Sequence, residues 1–488
     1  MAETILVIDA GTTSTRAMLF APGGERLASA QRPLAQSWPQ PGWVEHDPEE
    51  IWRSSLACAR EVAEAAGGAH RIAALGITNQ RETIIFWSRR TGRAFGPAIV
   101  WQDRRTAGMC QEMREAGHEP LVRACTGLLL DPYFSASKIA WALAERPELG
   151  EAGDDLLVGT VESWLVFNLT GGLHVSDATN ASRTALMDIH RGCWDDDLLV
   201  VWGIPRSVLP AIVDCAGAIG RCDPAHLGAA IPIAGMAGDQ QAAAIGQACL
   251  APGDAKATYG TGAFILSNSG DAPRIGDLRL LATIAWQLEG KRSYALEGSL
   301  FVAGSLIQWL RDSLGLLAHA ADSETMAREV ESSAGVRIVP AFAGLGAPHW
   351  RPDARGAISG LGLDTKPAHI VRAALEAMGD QTKELMQAFG ADGAPWESLR
   401  IDGGMAANDW MAQDLADALG IAVERPDMVE TTALGAAMLT AVGCSIYPDL
   451  QAASAMRGPA RAFSPRTSTA DRAARHAGWQ RAVAALLA

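Results

Sequence analysis

The pattern that most constrains how this chain of 488 residues can fold is an apolar strand running into a glycine turn, and it occurs three times. Ile5-Leu-Val-Ile8 meets Asp9-Ala-Gly-Thr-Thr-Ser14, and Arg16 leads into a second apolar run, Ala17–Phe20. Lys256-Ala-Thr-Tyr-Gly-Thr-Gly-Ala-Phe-Ile-Leu266 repeats the order of strand, Gly/Thr turn and strand. Leu399-Arg-Ile-Asp-Gly-Gly-Met-Ala-Ala-Asn408 stops at a third such turn, ahead of a helix from Asp409 to about Leu419. Each turn alone has two readings. It is ordinary hairpin chemistry, or it is a cradle whose N–H groups and hydroxyls face a phosphate.

The spacing of the repeats sets the architecture. A chain of this length exceeds a single hydrophobic core. The loop Ala251-Pro-Gly-Asp254 falls where the pattern restarts. A helix from about Pro48 to Ala66, strands over Ile72–Thr78 and Thr83–Trp87, and a peripheral amphipathic helix over Ala470–Ala488 complete an alternating α/β reading. The expectation is a duplicated α/β fold divided at 1–249 and 250–488, with a ligand cleft between the copies.

Charge and cysteine usage narrow the function. Net charge is −14, with 55 Asp and Glu against 41 Lys and Arg and no basic block, which argues against nucleic acid or an anionic membrane as partner. The eight cysteines form no C-x-x-C pair, so free, buried thiols in a reducing cytosol are expected. No apolar run approaches a membrane span and no signal-peptide core is evident, so the expected location is cytoplasmic.

The chain has no P-loop string, and Tyr259-Gly-Thr-Gly-Ala-Phe264 lacks the third glycine of a dinucleotide fingerprint. A nucleotide site would therefore be split among the Gly/Thr turns. Arg81 and Glu82, in Thr78-Asn-Gln-Arg-Glu-Thr83, read either as a solvated ion pair or as site residues. Asp239, at the end of an apolar glycine-rich run, reads equally as a helix N-cap or as a catalytic base. Trp101 and Tyr133 read by themselves as core or rim packing. No H-x-x-H pair suggests a histidine metal site, whereas Mg²⁺ on Asp9 and phosphate oxygens suits the preference of hard cations for oxygen.

Together these strings resemble the FGGY carbohydrate kinases of the actin-like ATPase superfamily over roughly residues 3–485. The resemblance rests on PGWVEHDPEEIW (41–52), GITNQRET (76–83), AIVWQDRRT (98–106), TGLLLDPYFSASK (126–138), TNASRT (179–184) and AGDQQAA (237–243). It continues through YGTGAF (259–264), AGSLIQWLRD (303–312), GLGAPHW (344–350), DGGMAAND (402–409) and ERP…ETTALGAA (424–437). It implies two actin-like (ribonuclease H-like) domains with a central cleft, and ATP-dependent phosphorylation of glycerol to sn-glycerol 3-phosphate by in-line transfer. It assigns glycerol to Arg81, Glu82, Trp101, Tyr133, Asp239, Gln240 and Phe264, with Asp239 as general base. It assigns ATP to Thr12, Thr13, Ser14 and Arg16 on one side and Thr261, Gly304, Gln308, Gly404 and Asn408 on the other, and Mg²⁺ to Asp9 and Asp239. It also implies a homo-oligomer, dimer or tetramer.

The chain departs from the family pattern in three places. Ala10 replaces a common glutamine, which removes an amide near the phosphates, and His349 replaces a common tyrosine. His226-Leu-Gly-Ala-Ala-Ile-Pro232 lacks the arginine of relatives inhibited by fructose 1,6-bisphosphate, implying weak or missing feedback. The alternatives are a kinase for another polyol or sugar, such as erythritol or a pentulose, and a non-catalytic nucleotide-binding module.

Overall fold

The structure, a computed structural model, describes residues 4–351 and 353–488. The N-terminal strand–turn–strand is an antiparallel hairpin of Thr4–Ala10 and Ser14–Phe20, with Asp9 opposite Arg16. From edge to edge the first sheet runs Arg26–Pro33, Ser14–Phe20, Thr4–Ala10, Ile72–Asn79, Pro232–Gly238 and Ala216–Arg221. The second runs Leu281–Leu288, Lys291–Leu300, Ala263–Gly270, Asp254–Tyr259, Ser398–Asp402, Ala422–Pro426 and Ala460–Phe463. Each sheet has an antiparallel meander, then two parallel additions, then an antiparallel edge strand. The repeated turns therefore mark repeated sheets.

The first strand shows why its sequence is apolar throughout. Leu6, Ile8 and Ala10 pack with Ile51, Cys58, Ala59 and Val62 of the helix Pro48–Ala65. Ile5 and Val7 pack on the other face with Ala242, Ile245, Ala433 and Ala437. Side chains alternate across a strand, so a strand covered on both faces needs apolar residues at every position. The Ala10 side chain is buried with those of Leu6 and Ile8, on the face of the strand away from Asp9. The helix itself starts where sequence rules place it, with Asp47 accepting from the Glu49 N–H at 2.9 Å, Pro48 in the first turn and Glu49 and Glu50 beside the positive helix end.

The helix Thr431–Gly443 lies in the chain between two strands of the second sheet, Ala422–Pro426 and Ala460–Phe463, but packs on the first. Glycines make this possible. A Cβ on Gly435 would lie 1.8 Å from the Ala242 carbonyl oxygen, and one on Gly246 would lie 2.0 Å from that of Thr431. The helices Asp239–Gly246 and Thr431–Gly443 thus touch backbone to backbone, which carries residues 430–432 up to Asp239.

The tail forms the helix Thr469–Leu487, which buries Gly478, Trp479 and Val483 and leaves most of its surface outside. Arg475 anchors it on Asp380 and Asp414, both at 2.6 Å. His349 belongs to the same region: its Nε2 lies 2.9 Å from Glu384 Oε1, while Glu384 Oε2 accepts from Trp479 Nε1 at 3.2 Å. All eight cysteines are free, five of them buried.

Candidate active site

The N-terminal hairpin opens on a polar cavity of about 230 Å³ lined by Asp9, Gly11, Thr12, Thr13, Ser14, Arg16, Asp239 and residues 429–432. Hydroxyls and backbone groups of the turn therefore share a small space with three carboxylates, those of Asp9, Asp239 and Glu430. Burial pushes the Asp9 carboxyl up to about 7; Arg16 opposes the shift, and Asp239 and Glu430 add to it. Arg16 donates to Glu430 Oε2 at 2.8 Å, a pair the sequence reading did not anticipate. Both partners are partly open to solvent, and such pairs exchange at little cost.

Arg81 and Glu82 are not a solvated hairpin pair. Their side chains are 2% and 1% exposed, and Glu82 holds a left-handed backbone with φ of 62°. A bulky non-glycine residue in that conformation is held there by its surroundings, as at functional sites. Arg81 Nη1 donates to Glu297 Oε2 at 2.7 Å and to Gln241 Oε1 at 3.2 Å. Its Nη2 reaches the Tyr133 hydroxyl at 3.4 Å, and its Nε stands 3.4 Å from Asp239 Oδ1. Arg183 Nε donates to Glu82 Oε1 at 2.7 Å and its Nη2 to Glu297 Oε1 at 2.9 Å.

The electrostatics follow from burial. Burial raises the Glu82 carboxyl, with Arg81 and Arg183 opposing. Burial also works against ionisation of Glu297, but Arg183 and Arg81 outweigh it and hold that carboxyl down to about 2. Asp239 is raised by burial against the pull of Arg81 and Lys256. Asp239 is the first residue of its helix, with Gly238 at the N-cap position, so the capping role considered for it is not the one it has. Its Oδ1 accepts from the Gln240 N–H at 2.7 Å, and among the described residues Oδ2 accepts no hydrogen bond.

The aromatic residues close one side. Trp101 meets Tyr133 edge-on at 5.6 Å and Phe264 at 6.4 Å between ring centroids. Gln240 Oε1 accepts from Lys256 Nζ, which also donates to Thr258 Oγ1 at 3.0 Å. The seven residues expected at one small ligand thus form one neighbourhood, with Phe264 and Lys256 supplied by the second sheet.

Three turns of the second half also converge. The Thr261 carbonyl accepts from the N–H groups of Ala303 and Ser305 at 2.9 and 3.1 Å, and Gly304 N–H donates to the Gly260 carbonyl at 2.9 Å. A Cβ on Gly304 would lie 2.6 Å from that oxygen and 3.5 Å from Met405 Cγ. Gly404 is exposed beside it, and Gln308 lies exposed one helical turn after Gly304. Asn408 caps the helix Asp409–Leu419, accepting from Met411 N–H at 2.9 Å, while its Nδ2 makes only a 3.4 Å contact to Ser323.

Sequence reading missed Glu297 and met Arg183, Lys256 and Glu430 only inside longer strings, with no role at the site. The signal for Glu297 was available: a lone carboxylate in the apolar strand Tyr294-Ala-Leu-Glu-Gly needs a buried cation.

A turn rich in donors facing paired carboxylates, at the junction of two repeated sheets, defines a phosphoryl-transfer enzyme. The chain belongs to the FGGY family of carbohydrate kinases: residues 4–246 match the family's N-terminal domain and residues 255–444 its C-terminal domain. It is 53% identical to a glycerol kinase of Methylobacterium nodulans across 100% of this chain and 99% of the relative. It is 51% identical to one of Alcanivorax borkumensis across 98% and 97%. The crystal structure of Plasmodium falciparum glycerol kinase with ADP superposes with a TM-score of 0.95 at 36% identity, covering 99% of this chain and 98% of that one. A xylulose kinase of Rhodospirillum rubrum superposes at 0.88 and 25% identity over 99% and 98%.

Proposed function

We propose that the chain is an ATP:glycerol 3-phosphotransferase, converting glycerol and ATP to sn-glycerol 3-phosphate and ADP. The observation that carries this reading is the place of Asp239. Its carboxylate stands between the Arg81–Glu82–Tyr133 cluster and the cavity of the Asp9–Arg16 hairpin. A hydroxyl held on one side faces a phosphate held on the other.

Glycerol is a neutral triol, so it needs matched donors and acceptors. Glu82 and Asp239 accept from its hydroxyl groups, Arg81, Tyr133 and Gln240 donate to its oxygens, and Trp101 and Phe264 cover its C–H face. A site of this kind rejects analogues lacking a hydroxyl, because its buried polar groups then go unpaired. Asp239 Oδ2 takes the proton of the terminal hydroxyl as that oxygen bonds to the γ-phosphorus and the bridge to ADP breaks. The raised Asp239 carboxyl suits a base, which contributes roughly 10²–10⁴ in rate. Positioning supplies most of the rest, since phosphoryl transfer has a loose transition state.

The hairpin residues Thr12, Thr13, Ser14 and Arg16 hold the phosphates, with Arg16 moving from Glu430 to phosphate oxygen. Thr261, Gly304, Gln308, Gly404 and Asn408 hold the rest of the nucleotide, so residues 1–249 bind phosphate and supply all of the glycerol contacts but Phe264, while 250–488 bind nucleotide. Among the described residues no cluster of three or more His, Cys, Asp and Glu could hold a metal. Asp9 and Asp239 on one cavity instead fit Mg²⁺, which takes one or two carboxylates together with substrate phosphates. When bound, Mg²⁺ neutralises charge on those phosphates. A cytoplasmic location and assembly into a dimer or tetramer belong to the same reading; no helix among the described residues is long and apolar enough to cross a membrane.

The test is ATP-dependent ADP release by the purified protein with glycerol, erythritol, xylulose or no acceptor, beside Asp239→Ala. Turnover with glycerol, lost in the variant, is expected. Preference for a longer polyol would move the substrate, and acceptor-independent hydrolysis untouched by the substitution would remove the kinase reading.

A further inference from the structure

Glu297 lies in the second sheet, on the strand Lys291–Leu300, yet both of its carboxylate oxygens are spent on arginines of the first half. Oε2 takes Arg81 at 2.7 Å and Oε1 takes Arg183 at 2.9 Å, and all three side chains are at most 3% exposed. Each oxygen of Glu297 is therefore already engaged by an arginine, and the residue is buried. Arg183 in turn spends its Nε on Glu82 Oε1 at 2.7 Å, while among the described residues Glu82 Oε2 accepts nothing. The two arginines and two glutamates alternate around a closed loop, with Arg81 Nε 3.9 Å from Glu82 Oε1 on the fourth side.

We propose that Glu297 and Arg183 are positioning residues of the glycerol site: Glu297, reaching across from the second half, clamps Arg81 and Arg183 so that Arg81 faces Asp239 and Tyr133 and Glu82 presents its free oxygen to the substrate. The inference rests on the kinase reading above. The physical argument is one of alternatives. A buried arginine freed from Glu297 has Asp239, 3.4 Å from Arg81 Nε, as its next carboxylate. Arg81 would close on the base and draw away from the substrate oxygens. Without Arg183, Glu82 has only Arg81 as a cationic partner and turns toward it. Arg183 Cζ also lies over two rings, 5.7 Å from the Tyr133 centroid and 5.3 Å from that of Phe134, which adds cation–π attraction to its two ion pairs. The arrangement also makes a complete glycerol site conditional on contact between the two halves.

The experiment compares Glu297→Gln, Glu297→Asp and Arg183→Lys with the unaltered protein, measuring kcat and KM separately for glycerol and for ATP. Misplacing a substrate-holding group by roughly 1 Å costs on the order of 100-fold. A fall of that size in kcat/KM for glycerol is expected for Glu297→Gln, with the KM for ATP within about 2-fold and partial recovery in Glu297→Asp, which keeps the charge. Equal losses toward both substrates, or an unchanged KM for glycerol, would overturn the proposal. If Glu297→Gln does not fold, Arg183→Lys is judged by the same split, because it keeps the charge and removes the fork. Glycerol turnover by the unaltered protein separates the two claims: its absence defeats the kinase reading, whereas its presence with indifferent variants defeats this inference alone.

Discussion

The indole N–H of Trp101 donates to the Thr12 hydroxyl at 2.9 Å. The wall of the proposed glycerol site and the turn of the hairpin proposed to hold phosphate are thereby one hydrogen-bonded unit, although 89 residues separate them in sequence. Trp101→Phe keeps the ring against Tyr133 and Phe264 but removes the donor. One net hydrogen bond is worth about 1 kcal/mol, or roughly 5-fold. The expected result is a loss of that size in kcat/KM for ATP with the KM for glycerol nearly unchanged, read from steady-state kinetics. An effect confined to glycerol would show that the tie does not couple the two sites.

Asp9 gives a pH-dependent stability with a defined sign. Its carboxyl sits at about 7 in the folded protein against 3.8 for the ordinary group, because of burial, with Asp239 and Glu430 adding and Arg16 opposing. Between those values the unfolded chain has lost the proton and the folded chain has kept it, so rising pH favours unfolding; above about 7 the cost is constant. Asp9→Asn removes the titration. The variant should melt above the unaltered protein at pH 8, with the gap shrinking toward pH 5. A gap independent of pH would mean that Asp9 is not raised.

Lys138 is fully buried, and its ammonium donates to the carbonyls of Pro132, Tyr133 at 2.8 Å and Phe134 at 3.3 Å. Three consecutive carbonyls in the turn that carries Tyr133 accept from one side chain, that of Phe134 also accepting from Ser137 Oγ at 3.5 Å. Lys138→Met leaves them without it, at about 1–3 kcal/mol for each buried group that stays unsatisfied. A drop in melting temperature and a higher KM for glycerol than for ATP are expected. Lys138→Arg should not rescue either, since a planar fork cannot occupy the point where a compact ammonium meets three oxygens.

Turns and strands were legible because their determinants are local. Asp47-Pro48 starts a helix by capping chemistry alone, and the Gly/Thr turns mark the hairpins. The partners of Arg81 were not legible, because Glu297 is 216 residues away and only the folded chain brings them together. Asp239 could be singled out as a polar end to an apolar run, but whether it caps the helix depended on whether the helix begins one residue earlier, which spacing does not fix. Motif matching gave no face for Ala10, whereas the alternation of the strand puts it with Leu6 and Ile8.

Gly435 offers the sharpest separation of local preference from packing. Its φ is not among the positive values, so nothing in its backbone requires glycine. On helix propensity alone, alanine there would stabilise by about 1 kcal/mol. Packing argues the other way, since the new Cβ would lie 1.8 Å from the Ala242 carbonyl oxygen and 2.7 Å from Gly246 N, both backbone atoms. Overpacking against groups that cannot rotate away costs about 1–3 kcal/mol or more. Gly390, exposed near the end of the helix Pro367–Ala391 with nothing within 4 Å of the Cβ that alanine would add, is the control. Gly435→Ala should lower the melting temperature by several degrees while Gly390→Ala leaves it unchanged or raises it. Because Gly435 sits one turn after Thr431, forcing the helices apart also moves residues 430–432 from the phosphate cavity, so the KM for ATP should rise with the loss of stability. A destabilised variant with an unaltered KM for ATP would mean that the helix end is not what shapes that cavity.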